Sequence, residues 1–303
     1  EYDYGSYYLA LGQRISSSGS KIGAVIGLDI GRTEKKPDAA YNSSNNQYLM
    51  TFEADGNGDG YTDIIRILID SNGNIVSAYY LGAGSSRLAN AVVAYNSVRN
   101  KYMIAFEYKY LSESNSYLAC YNIDSNNSAT TGLTLSVSKS FYPRAVYNPN
   151  RDRYVLIWQN DSFANNRTYI SDIAGDVTSG SYGSYAITNH NMLKPNIAYA
   201  SGRNEYMFTF TDNSSSEYNV QAQRISADTF DLLTTATIAI ATGTAIIETD
   251  STVVYSPSKM EYLTGYEYNN VDLRAQRIGE IVVDIHAVPQ SLDFGGDLTQ
   301  LDL

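Results

Sequence analysis

The chain has 303 residues and a formal net charge of −11 without a basic cluster, which argues against nucleic acid and anionic lipid as partners. Its one cysteine, Cys120, excludes an internal disulfide, and no apolar run approaches the ~18 residues of a membrane-spanning helix. Charged residues are 17% of the chain, below the usual quarter, and Tyr, Asn and Ser take their place, a composition that points to an extracellular or cell-surface location.

The first predicted elements are a hairpin, Tyr8 to Ile15 and Ile22 to Leu28, joined by a Ser/Gly turn. A short strand, Asp38 to Asn42, follows, then a polar turn, Ser43 to Gln47, and a second strand, Tyr48 to Glu53. This pair carries an aromatic ladder, Tyr41, Tyr48 and Phe52, that recurs as Tyr95, Tyr102, Phe106; Tyr147, Tyr154, Trp158; Tyr199, Tyr206, Phe210; and Tyr255, Tyr262, Tyr266. The copies begin 54, 52, 52 and 56 residues apart. The later turns, Asn96 to Lys101, Asn148 to Arg153 and Ala200 to Glu205, are rich in Asn, Ser, Gly and Arg, and Asn and Gly tolerate the positive φ of tight hairpins. Third strands are expected at Tyr61 to Ile69, Tyr117 to Ile123, Tyr169 to Ile173, Tyr218 to Ile225 and Val271 to Ile278. Fourth strands are expected at Ile75 to Leu81, Ala129 to Val137, Gly183 to Thr188 and Leu233 to Ala241. Pro37, Pro143 and Pro195 stand four residues before a ladder Tyr, where a strand is expected to begin.

Self-similarity at about 50 residues, written in short strands, predicts an all-β, five-bladed β-propeller over residues 1–281, with repeats starting near 37, 91, 143, 195 and 251. The ladder is expected to fill the wedges between blades, although a sugar-stacking platform is the other use of so many aromatics. Gln13-Arg14-Ile15 matches Gln223-Arg224-Ile225 and Gln276-Arg277-Ile278 in the third strands of copies four and five. The N-terminal hairpin, 7–28, is therefore expected either to supply outer strands that help close a five-bladed ring or to be the remnant of a sixth blade. Glu1, standing where an initiator Met would be, fits a processed or trimmed chain.

The strongest chemical motif is Asp55-Gly56-Asn57-Gly58-Asp59-Gly60-Tyr61-Thr62-Asp63. Its oxygen ligands at alternate positions, the Tyr61 carbonyl and a turn-permitting glycine suit calcium, which takes six to eight hard oxygens. Arg66 replaces the final Glu of an EF-hand. The loop resembles that of FG-GAP repeats in integrin-type propellers, which implies Ca2+ held by Asp55, Asn57, Asp59, Tyr61 and Asp63; the alternative is a plain Asp/Gly turn. Sequons occur at Asn42, Asn126, Asn160, Asn166 and Asn213, and those at Asn42, Asn126 and Asn213 fall in predicted turns where a glycan would be accessible.

Catalytic motifs are sparse. His190 and His286 have no nucleophile partner and no metal-ligand spacing. Glycoside hydrolysis needs two carboxyl groups, and the candidates are Glu53, Glu107 and Glu267, which share one repeat position with Gln159 and Thr211, and also Asp38 and Asp250. A position shared by every copy suggests structure, so the chain is expected not to be an enzyme, with a glycoside hydrolase-like activity as the alternative.

The repeat Ala94-Tyr95-Asn96, with Tyr102 and Phe106, and strand ends such as Ala222-Gln223-Arg224-Ile225, resemble the tandem propeller repeats of large secreted and surface proteins of bacteria and archaea. The resemblance spans residues 5–280 and implies a scaffold or binding module that presents loops to a glycan, a protein or a surface assembly. Residues 282–303 leave the repeat. Ile285 to Gly295 resembles the first strand of Hydin-like immunoglobulin-type repeats, which implies a following module; a tail packed on the propeller is the alternative.

Overall fold

The computed structural model describes residues 2–3, 8–16, 18–27, 33–55, 58–82, 86–135, 139–161, 167–185, 191–214, 217–234, 236–243, 247–269 and 272–279. These residues contain strands and turns and no helix. Asn57, Asn166, His190, His286 and the segment 282–303 lie outside them.

Short strands β1 (Tyr2–Asp3) and β2 (Tyr8–Leu9) pair antiparallel, and β3 (Leu11–Ile15) pairs with β4 (Lys21–Gly27) as a separate two-stranded sheet. Four antiparallel sheets of four strands come next, each in sequential order. The first holds β5 (Lys35–Asn42), β6 (Gln47–Ala54), β7 (Asp63–Asp70) and β8 (Ile75–Leu81). The second holds β9 (Ser86–Asn96), β10 (Lys101–Tyr110), β11 (Tyr117–Asp124) and β12 (Ala129–Leu135). The third holds β13 (Ser140–Asn148), β14 (Arg153–Asn160), β15 (Arg167–Ala174) and β16 (Gly180–Tyr185). The fourth holds β17 (Met192–Ala200), β18 (Glu205–Asp212), β19 (Asn219–Ser226) and β20 (Ile238–Ala241). A fifth sheet has three described strands, β21 (Glu248–Ser256), β22 (Glu261–Tyr268) and β23 (Asp272–Ile278). First strands stack in succession, β5 on β9, β9 on β13, β13 on β17 and β17 on β21, which is the blade order of a propeller.

The ladder keeps one register throughout. Tyr41 pairs with Tyr48, Tyr95 with Tyr102, Tyr147 with Tyr154, Tyr199 with Tyr206 and Tyr255 with Tyr262, with ring centroids 5.0–5.3 Å apart. Second strands such as Tyr102 to Phe106 and Tyr154 to Trp158 are buried on both faces because a blade lies on each side, so they read as unbroken apolar runs. The hydrophobic core accordingly divides by interface. Met103, Leu118 and Cys120 of the second blade pack on Tyr154, Leu156 and Trp158 of the third, and corresponding clusters join the other neighbours.

Among the described residues β3 and β4 pair only with each other, and no described strand of the hairpin joins the fifth sheet. Instead Ile26 and Ala10 pack on Phe52, Ile65, Ile67 and Ile69, placing the hairpin on the first blade where a sixth, partial blade would stand. The far face of the fifth blade leaves Val254, Leu263 and Leu273 exposed.

Two local devices repeat with the ladder. Turn residues Asn46, Asn100, Asp152 and Asn204 all take φ near +50°, which Asn and Asp accept more readily than other side chains. A bulge interrupts each first strand at Lys36, Asn90, Tyr142, Lys194 and Asp250, again at φ near +50°. Pro37, Pro143 and Pro195 directly follow this residue, so they lie inside β5, β13 and β17, not at their starts. A bulge leaves a residue out of the ladder, and the missing proline N–H costs little there.

Candidate functional site

In the loop after β6, Asp55 Oδ1 accepts from Gly58 N at 2.7 Å and Oδ2 from Gly60 N at 3.0 Å, while Asp59 Oδ1 accepts from Tyr61 N at 2.9 Å. Gly58 and Gly60 sit at φ +80° and +87°, which curls the chain around Asp55. Asp63 is buried at the head of β7, where its carboxylate fills the space a Cβ on Gly82 would need, 2.6 Å away. Among the described residues no group of three or more His, Cys, Asp or Glu gathers to hold a metal. The donor types and the curl suit calcium, but Asp55 and Asp59 are turned onto the loop's own amides.

The repeat-position carboxylates connect blades. Glu53 Oε1 accepts from Asn90 N at 2.6 Å, Glu107 Oε1 from Tyr142 N at 2.6 Å, and Gln159 Oε1 from Lys194 N at 2.9 Å. Each donor is the bulge residue of the next blade, whose N–H the bulge turns away from its own ladder. Asn90 also donates Nδ2 to Glu107 at 2.6 Å, and Lys36 Nζ lies 3.1 Å from Glu53, so these groups form one polar cluster. Burial raises the Glu107 pKa above the ordinary glutamate value, against the Tyr142 and Asn90 hydrogen bonds that lower it. Burial likewise raises Asp38, whose Oδ2 accepts from Val93 N of the second blade at 2.7 Å. Asp250 pairs with Lys194, and Glu267 is reached by the Thr249 hydroxyl of its own blade at 3.4 Å.

A group whose pKa is raised on folding contributes most below its unfolded value and loses that contribution as pH rises through the folded value. Glu107→Gln is therefore expected to hold stability at neutral pH, since Gln159 makes the same bond, and to lessen the loss on going from about pH 4 to pH 7. Urea unfolding midpoints across that range measure it; an unchanged pH slope would mean that Glu107 is not the buried acid.

The asparagine after the first ladder Tyr is a clasp. Asn42 Oδ1 accepts from Ser44 N and Asn45 N while its Nδ2 donates to Asn100 Oδ1 of the second blade at 2.8 Å. Asn96 and Asn148 do the same toward Asp152 and Tyr206. Asn42 is 0% exposed, which corrects the expectation of an accessible sequon there; Asn160 is also buried, Asn213 is half-buried and Asn126 is exposed.

One feature escaped the sequence reading. Between the first and second blades lies a cleft of about 260 Å³ walled by Phe106, Tyr108, Tyr110 and Tyr121, with Ser86 and Thr134 also in its lining. A second, more open groove of about 500 Å³ on the same two blades is lined by Gln47 of β6, Val76 and Ser77 of β8 and Asn126 in the turn between β11 and β12. The signal for the cleft is that Tyr108, Tyr110 and Tyr121 sit where most other copies carry non-aromatic residues.

Sheets stacked in this order define a β-propeller. No protein-family model and no curated protein matches the chain. Among solved structures it is similar to a microbial sialidase, Hz136 (TM-score 0.53, 10% identity, 86% of this chain and 64% of that one). It is also similar to an endo-arabinase from Bacteroides thetaiotaomicron (TM-score 0.52, 9% identity, 82% and 94%). An ACO/RPE65 chimera is a third (TM-score 0.53, 10% identity, 89% and 67%). Likeness at such identity is a likeness of fold alone.

Proposed function

We propose that this propeller is an extracellular or cell-surface binding module, presenting its loops to a glycan or protein partner or to a surface assembly. The observation that carries this reading is the use of Glu53, Glu107 and Gln159 as inter-blade acceptors. Two of the three carboxylates at this repeat position, Glu53 and Glu107, hold neighbouring blades together. Its resemblance to the tandem repeats of secreted and surface proteins, and its Tyr-, Asn- and Ser-rich composition, support the same reading, because Tyr offers rigid amphipathic contact area and Asn and Ser adaptable hydrogen bonds. Calcium is part of the proposal. Asp55, Asn57, Asp59 and Asp63, with the Tyr61 carbonyl, would hold it once Asp55 and Asp59 exchange the loop amides for the ion, and it would stabilise that loop. The raised pKa of Glu107 beside Glu53 favours one other reading, a glycoside hydrolase with Glu107 as the acid.

The test is a glycan array and a surface-protein pull-down run beside a panel of chromogenic glycosides, each with calcium and with chelator. Binding without turnover is expected, and chelator should lower the melting temperature of the wild type but not of Asp59→Ala. Turnover lost in folded Glu107→Gln would install the hydrolase, and equal chelator sensitivity in both proteins would remove calcium from the 55–63 loop.

A further inference from the structure

The cleft between the first and second blades has features that inter-blade packing does not require. Its walls come from alternate residues of β10, Phe106, Tyr108 and Tyr110, which strand geometry points to one face, and from Tyr121 on β11. Phe106 and Tyr121 stack at 5.7 Å with 13° between planes, and Tyr110 meets Tyr108 edge-on at 5.5 Å. Phe106 is buried and belongs to the ladder, whereas Tyr110 and Tyr121 are 43% and 36% exposed. Gly132, opposite Tyr121 on β12, allows that ring to lie down on the sheet, since a Cβ there would come within 3.1 Å of it.

Comparison of the copies separates this set from the scaffold. Two and four residues past the last ladder aromatic, where the second copy has Tyr108 and Tyr110, the first has Ala54 and Gly56, the third Asn160 and Ser162, and the fourth Asp212 and Ser214. The fifth has one aromatic there, Tyr268. Two residues before the isoleucine that ends the third strand, Tyr121 is replaced by Ile67, Ser171, Gln223 and Gln276. Residues that build the propeller recur in every blade, while these tyrosines gather in one.

The lining also sets the ligand chemistry. The described residues that line the cleft include no Lys, Arg, Asp or Glu, which disfavours charged ligands because nothing among them would compensate a charge on desolvation. Exposed rings of Tyr110 and Tyr121, with the hydroxyl-bearing Tyr108, Ser86 and Thr134 also in the lining, match a ring that is apolar on its faces and polar around its rim. The volume is just under the ~300–1,000 Å³ of small-molecule pockets, room for one such ring and not for a folded segment.

We propose that this cleft binds one pyranose unit of a neutral glycan, stacked on Tyr110 and Tyr121 and hydrogen-bonded at its edge. The proposal rests on the binding-module reading and assigns it a place. It is tested by calorimetric titration of the full chain with neutral gluco-, galacto-, manno- and xylo-oligosaccharides and N-acetylglucosamine oligomers, with choline as a cationic control. At least one sugar series is expected to bind, and Tyr110→Ala, a change at an exposed strand end, should weaken it about tenfold while leaving the melting temperature unchanged. Tyr110→Phe should retain most of the affinity, because the ring face is what stacks. Binding of choline and no sugar, or sugar binding equal in wild type and Tyr110→Ala, would overturn the proposal. Equal retention of both proteins on a glycan array would do so while leaving the binding-module reading intact, whereas loss of all glycan and protein binding by the wild type would end both.

Discussion

Trp158→Ala is expected to destabilise the protein by about 3–5 kcal/mol, the range for truncating a large core aromatic without collapse of the cavity. Trp158 is 0% exposed, stacks on Tyr169 at 5.6 Å, and lies in the cluster joining the second and third blades. Two β-sheets fix the walls of that wedge, so neighbours cannot close over the lost volume. A chemical denaturation curve reads the change directly. The contrast is Tyr48→Ala. Tyr48 occupies the same register as Tyr102, Tyr154, Tyr206 and Tyr262, yet it is 37% exposed where they are 0–1%, because among the described residues a two-stranded hairpin and not a full sheet packs on the first blade from that side. Its truncation should cost less than half as much as that of Tyr102, and equal losses at the two positions would mean that the first blade is covered as fully as the others.

Glu205→Ala is the second large effect, about 3 kcal/mol, in the range for breaking a buried charged pair. Glu205 is 2% exposed and accepts from Arg224 Nε at 3.0 Å and from the Tyr262 hydroxyl of the next blade at 2.9 Å. Alanine would remove the acceptor that the phenol and the Arg224 guanidinium share at the junction of the fourth and fifth blades. Amide exchange in β21 to β23 should rise more than exchange in β9 to β15. Glu261 stands at the equivalent place in the fifth blade and pairs with Arg277, but at 28% side-chain exposure, so Glu261→Ala should cost no more than about 1 kcal/mol. A global and uniform rise in exchange for Glu205→Ala would show that the blades unfold as one unit and would sink the local account.

The blade pattern was legible because one packing problem is solved five times. A wedge between sheets demands a large side chain at the same register, and the repetition separates it from chance. The recurrence of Asn42, Asn96 and Asn148 after the first ladder Tyr is plain in the sequence, but that each reaches the next blade is seen only in the structure. A sequon, however, is a local pattern that carries no information about burial, and Asn42 was read as accessible. The prolines were misplaced by a few residues because a bulge, unlike a strand end, has no composition of its own. Of the 55–63 loop, the sequence specified the glycines that let the chain curl, and the structure turns Asp55 and Asp59 onto the amides of Gly58, Gly60 and Tyr61.

By itself the sequence determined the all-β class, the fivefold recurrence of the ladder, its register and the shared position of Glu53, Glu107 and Gln159, because each is a short-range rule of strand alternation or turn geometry. Only the tertiary structure decided what those residues touch. The bulge N–H that each acceptor meets belongs to the next blade, some 35 residues away. The N-terminal hairpin packs on the first blade, and the cleft of Tyr108, Tyr110 and Tyr121 takes Leu81 and Gly82 of the first blade as part of its wall. Contacts between sheets depend on how far each twists and leans on its neighbour, a sum over many side chains that no local pattern encodes.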